Sequence, residues 1–100
     1  MPTTAAVLRD EPDGRTGATF LIATLPPDAV ARAWIISRWD GRTWSTEVRP
    51  ADGSTLTLAV AANAGEGVGY WISWTDRVGV ESPRAGWLRT GDNVARLIVH

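Results

Sequence analysis

Six tryptophans in one hundred residues are the side chains here with the most chemistry to offer. Trp39, Trp44, Trp71 and Trp87 are the four that matter first, with Asp40, Asp76 and Asn93 as nearby polar candidates. Flat rings spaced along one face are what the C–H faces of sugar rings stack upon, with Asp or Asn groups to bind the hydroxyls. The same rings would equally anchor a protein partner, because Trp and Arg carry most interface energy. A third arrangement covers them with loops, termini or arginine stems. The candidate ligand-binding residues are therefore Trp39, Trp44, Trp71, Asp40, Trp87 and Asn93.

Other chemistries are poorly provided for. The chain has no cysteine, so it offers neither a disulfide nor a thiolate metal site. Its one histidine, His100, is terminal and is not expected to serve as base or ligand. No serine sits in a nucleophile elbow, no glycine loop precedes a helix to cradle phosphate, and no zinc spacing occurs. None of the eleven acids is flanked as a general acid would be. Asp10-Glu11-Pro12-Asp13 resembles a cation loop only in composition. Calcium needs more oxygen ligands with a defined glycine, so a solvated turn is expected. The chain is expected to be no enzyme, with no cofactor and no metal.

The charge is balanced at −1, with acids and bases interspersed. A nucleic-acid groove would need a clustered basic face, so no nucleic-acid partner is expected. All ten basic residues are arginine, which reads as coding bias or as planar recognition of carboxylate and phosphate. No apolar run approaches the ~20 residues of a bilayer span, and Met1 to Asp10 lacks the basic start and apolar run of a secretory signal. A soluble, cytoplasmic protein is expected, with a carbohydrate polymer or a partner protein as ligand and self-association open.

The elements that must position the tryptophans are strands. One hundred residues make one domain, 1–100. The organising stretch is Val68 to Asp76, where Tyr70, Ile72 and Trp74 alternate with Trp71, Ser73 and Thr75. The first set would anchor a core and leave Trp71 outside. Thr3 to Arg9 reads as an edge strand and Asp10 to Gly14 as a turn. Thr16 to Leu25 is apolar on both faces in its middle, as an interior strand is. Asp28 would cap a helical turn over Ala29 to Ala33. Ala33 to Trp39 and Arg42 to Arg49 flank Asp40-Gly41, the strongest hairpin signal in the chain. Trp39 then shares a face with Ile35 and Ser37, and Trp44 with Thr46 and Val48.

Ser54 to Ala62 alternates cleanly, and Asn63 to Gly67 is a loop. A less regular segment runs from Pro83 through Trp87. Thr90 to Asn93 is a turn, and Val94 to Val99 a last strand. About seven short strands with turns between them describe an all-β chain, an immunoglobulin-like antiparallel β-sandwich.

Two family resemblances follow from these motifs. Tyr70-Trp71-Ile72-Ser73-Trp74-Thr75-Asp76, then Gly79, then Glu81-Ser82-Pro83, resembles the late strands of fibronectin type III domains. A longer stretch resembles the early-set module at the N-terminus of glycogen branching and debranching enzymes (the isoamylase type). It comprises Phe20 to Pro26, the hairpin Trp39-Asp40-Gly41-Arg42-Thr43-Trp44, Tyr70 to Asp76 and Gly91-Asp92-Asn93. That resemblance implies a non-catalytic glycan-binding module. The first implies a protein-interaction or assembly module. Ser37 to Trp44 also resembles the Asp-box turn of sialidase-like propellers, with the aspartate one place late, and is expected to be only a hairpin turn.

Overall fold

The computed structural model describes residues 4–60, 67–90 and 93–99. Most of the loop at 63–67, part of the turn at 90–93, and His100 lie outside the described residues. Eight strands follow in order: β1 (Val7–Pro12), β2 (Thr19–Thr24), β3 (Ala33–Trp39), β4 (Trp44–Pro50), β5 (Thr55–Val60), β6 (Val68–Thr75), β7 (Arg84–Thr90) and β8 (Asn93–Val99). They form two antiparallel sheets, one ordered β1-β2-β5 and the other β4-β3-β6-β7-β8. The result is an all-β sandwich compatible with an immunoglobulin-like fold. Among the described residues there is no helix, and hence none long and apolar enough to cross a membrane.

The organising stretch is the middle strand of the larger sheet. Seven of the eight β6 residues are buried, and the exception is Trp71. Ile72, Tyr70, Trp74 and Val68 point between the sheets, where Trp34 and Ile36 of β3 and Trp87 of β7 join them. The smaller sheet answers with Leu21 and Ala23 from β2 and Leu56, Leu58 and Val60 from β5. The alternation of β5 matches its burial residue by residue, which is the pleat read directly from sequence. β2 is the interior strand of its sheet, as its two apolar faces require.

Buried indoles need partners for their N–H groups. Trp74 Nε1 donates to the carbonyl of Thr4 at 3.1 Å, and Trp87 Nε1 donates to Asp10 Oδ1 at 3.4 Å.

Several boundaries differ from the sequence reading. β1 starts at Val7 and runs through Asp10-Glu11-Pro12, because these residues pair with Thr19 to Leu21 of β2. The turn follows at Asp13, whose carboxylate accepts from the Arg15 amide at 3.0 Å and the Thr16 hydroxyl at 2.8 Å. Asp10 is drawn inward while Asp13 holds a turn, so the acids do not converge as cation ligands would. Residues 29–33 form no helical turn, and Asp28 takes a positive φ of 66° rather than a cap conformation. The described residues form eight strands, against about seven expected. The irregular stretch after Pro83 is strand β7, whose alternation is interrupted by Gly86.

A three-stranded sheet cannot cover five strands. β6 and its neighbours β3 and β7 lie over the core, while β4 and β8 overhang. All seven β8 residues are exposed, and six of seven in β4. The two overhangs differ in chemistry. Under β4 lies a polar cleft of about 350 Å³ lined by Arg38, Glu47 and Arg49. Under β8 lies an apolar cleft of about 650 Å³, between β1 and β8, lined by Ala5, Val7, Leu8 and Ile98.

Candidate functional site

The face of the larger sheet that points away from the core carries Trp44, which is exposed, and Trp39 and Trp71, which are half-buried. Period two and antiparallel register determine its rows. Trp44 opposes Trp39, which opposes Gly69, then Leu88, then Ala95. The next row runs Thr46, Ser37, Trp71, Gly86, Leu97. Trp39 and Trp71 are therefore diagonal neighbours across the β3–β6 pair, and Trp44 joins Trp39 across the hairpin. The Trp39 and Trp44 ring centres are 5.5 Å apart with planes tilted by 46°, a favourable aromatic arrangement.

Two glycines shape the surface between the rings. A Cβ built on Gly86 would lie 2.5, 2.9 and 3.0 Å from Cζ3, Cε3 and Cη2 of Trp71. Contact with three atoms of one ring at similar distances means that the indole lies flat over Gly86. One face of the ring is spent on that backbone, and the residue as a whole is half-buried. At Gly69 a Cβ would meet Leu88 Cδ1 at 3.4 Å and Trp39 Cβ at 3.6 Å, so the absent side chain leaves a depression. Trp39, Trp44, Trp71, Leu88 and Leu97 bound a hollow of about 260 Å³ around these glycines. Glycine inside a strand is the sequence signal for such close approach, and it is the signal the reading from tryptophans alone missed.

Polar groups stand at one side of the hollow. Ser37 Oγ and Thr46 Oγ1 are 3.0 Å apart, in the same row as Trp71. Each hydroxyl can make further bonds beyond the one they share. At the far end of β6 the face is closed. Ser73 Oγ donates to Glu81 Oε2 at 2.6 Å, Glu81 pairs with Arg84 at 3.2 Å, and Thr75 bridges to Glu81.

The predicted residues fall into four groups. Trp39, Trp44 and Trp71 come together. Asp40 stands next to them, but Oδ1 of its carboxylate accepts from the amides of Arg42 and Thr43, each at 2.9 Å. Those amides, Thr43 foremost, hold its carboxyl below the ordinary value. Asp40 thus secures the four-residue hairpin loop, with Gly41 at φ 99°. Asn93 is exposed at the far corner, three strands from Trp39, or about 14 Å at ~4.8 Å per strand. Asp76 Oδ1 accepts from the amides of Val78 and Val80 at the opposite end of β6.

Trp87 is the correction. Its neighbours Gly86 and Leu88 face outward, so Trp87 faces inward and is 1% exposed. Its ring lies 6.3 Å from that of Tyr70, and the Arg89 guanidinium stands 6.0 Å from its centroid. It belongs to the core and is not offered to a ligand.

Comparison with models of known protein families gives no match, and comparison with curated protein sequences gives none.

Proposed function

We propose that this chain is a non-catalytic binding module that recognises carbohydrate on the outer face of its five-stranded sheet. The observation that carries the reading is the indole of Trp71, laid flat on Gly86 at the hollow it lines with Trp39 and Trp44. A flat, fixed ring is what a pyranose stacks upon, since the ring loses little freedom on binding. Trp39 and Trp44 supply a ring pair one row away, lining the same hollow. Ser37 and Thr46 stand at the edge of Trp71, where sugar hydroxyls would emerge. The early-set resemblance of the hairpin and the Tyr-led strand supports the same ligand class.

A protein partner is the second reading, and a specific observation favours it. Leu88, Leu97 and Val48 add exposed apolar area around the tryptophans, and a mixed aromatic and aliphatic patch is how interface centres are built. The fibronectin type III resemblance points the same way.

Affinity electrophoresis through gels containing glycogen or soluble starch separates the two. The carbohydrate reading expects retardation that Trp71→Ala abolishes and Trp74→Phe, a core change, leaves in place. Absence of retardation on any glucan gel would remove the carbohydrate reading and leave the protein-interface one.

A further inference from the structure

We propose that β8 pairs edge to edge with β8 of a second copy, about a two-fold axis, joining the larger sheets of two molecules into one ten-stranded sheet. This does not depend on what the outer face binds.

Exposed sheet edges are open templates, and folded proteins guard them with charge, proline or bulges. Two of the four edges are guarded by residues of their own. β1 ends in Arg9, Asp10, Glu11 and Pro12. β4 carries Glu47, Arg49 and Pro50. β5 has no charge or proline of its own, but its Thr57, Leu58 and Ala59 border a cleft lined by Arg38, Glu47 and Arg49. β8 is the most apolar of the exposed edges, with one charge and no proline or bulge. Its pairing with β7 runs without a bulge from Asn93 to Val99, it contains no proline or lysine, and Val94, Leu97, Ile98 and Val99 are all exposed. Its single charge, Arg96, is drawn into an ion pair with Asp10 of β1. That pairing offsets part of the charge that would repel a second strand, while the Arg96 side chain stays 54% exposed.

The occupant follows from self-complementarity. Closed two-fold dimers are the commonest oligomers, and their contacts repeat the same patch on both sides. An antiparallel two-fold places one residue opposite itself. A centre at Arg96 would oppose two arginines, which is unfavourable. A centre at Leu97 sets leucine against leucine and Ala95 against Val99 on the outer face, with the Arg96 stem across Ile98 on the inner face. No like charges meet. The two outer faces then lie side by side in one plane, so a polymeric ligand would find two sites at high effective concentration.

In this register residues 95–99 of the two β8 strands oppose one another, and so short an edge covers less than the ~800 Å² per partner of a standard interface. The dimer is therefore weak, with a dissociation constant on the order of 10 µM. Sedimentation equilibrium between about 1 and 500 µM is the first test, and the expected result is a reversible monomer–dimer equilibrium. Leu97→Lys should shift it to monomer, whereas Val48→Lys on the opposite edge should not. The chain has no cysteine, so single cysteines report position cleanly. Under mild oxidation Leu97→Cys should form a covalent dimer, because directly opposed residues have Cα atoms about 4.5–5.5 Å apart. Ala95→Cys should not, because its copies lie about 13 Å apart in this register. A monomer at every concentration would overturn the proposal. So would crosslinking at Ala95→Cys equal to that at Leu97→Cys, or a dimer that Val48→Lys disrupts and Leu97→Lys does not.

Discussion

Gly86→Ala tests the geometry of the outer face most searchingly. The added methyl would sit 2.5 Å from Cζ3 of Trp71, closer than two carbons can approach. The backbone of β7 is fixed by β6 on one side and β8 on the other, so the indole must move. Leaving its seat exposes roughly 80 Å² of ring face, a fraction of the ~150–250 Å² a tryptophan can bury. At ~25 cal/mol per Å² this costs about 2 kcal/mol. Alanine regains roughly 0.5–1 kcal/mol over glycine in a strand interior through lower unfolded-state entropy. The net expectation is a loss of about 1–1.5 kcal/mol, or a fall in urea midpoint of about 0.5–1 M. The sign should reverse in the Trp71→Ala background. With no ring to displace, Gly86→Ala should stabilise by roughly 0.5–1 kcal/mol. Urea unfolding of the four proteins gives the coupling directly, expected at about 2 kcal/mol. A coupling near zero would show that the ring does not rest on Gly86, and the stacking platform would go with it.

Trp34→Ala, at a site 1% exposed, should cost about 3–5 kcal/mol by cavity formation, whereas Trp44→Ala should cost about 1 kcal/mol or less; equal losses in denaturant titrations would contradict the assignment of inside and outside. Asp40 and Asp13 both have carboxyls held below the ordinary value by their turn hydrogen bonds. Their contribution is complete above the unfolded carboxylate pKa and is lost as pH falls through the lower folded values, so thermal melts should be flat above about pH 5 and decline below about pH 4. Asp40→Asn should make that acid decline shallower, and an unchanged slope would show that the loop carboxylate does not matter. Burial pushes the hydroxyl of Tyr70 above its ordinary value. The stability this gives is complete below the unfolded tyrosine pKa and is lost as pH rises through the folded one. Tyr70 is the single tyrosine, so a spectroscopic titration should find its ionisation delayed and coupled to alkaline unfolding; a normal, reversible titration in the folded state would refute its burial.

The parts of the fold that follow a strict period of two were legible in the sequence. β5 alternates in sequence and in burial, and β6 separates Tyr70, Ile72 and Trp74 from Trp71. The facing of Trp39, Trp44 and Trp71 follows from the same rule. β7 was not legible because Gly86, the residue that should have marked its outer face, has no side chain. Its role is set by an indole arriving from β6. That also hid the inward turn of Trp87. The end of β1 was misread because Asp10-Glu11-Pro12 has turn composition, yet pairing with β2 and contacts from Trp87 and Arg96 keep it extended. In each failure a tertiary partner overrode a local preference.

The most direct measurement is a ¹H–¹⁵N spectrum of the six indole N–H groups during titration with a soluble malto-oligosaccharide. The account predicts that the signals of Trp39, Trp44 and Trp71 move together and saturate, while those of Trp34, Trp74 and Trp87 stay in place. Movement confined to the buried three, or none at millimolar sugar, would contradict it.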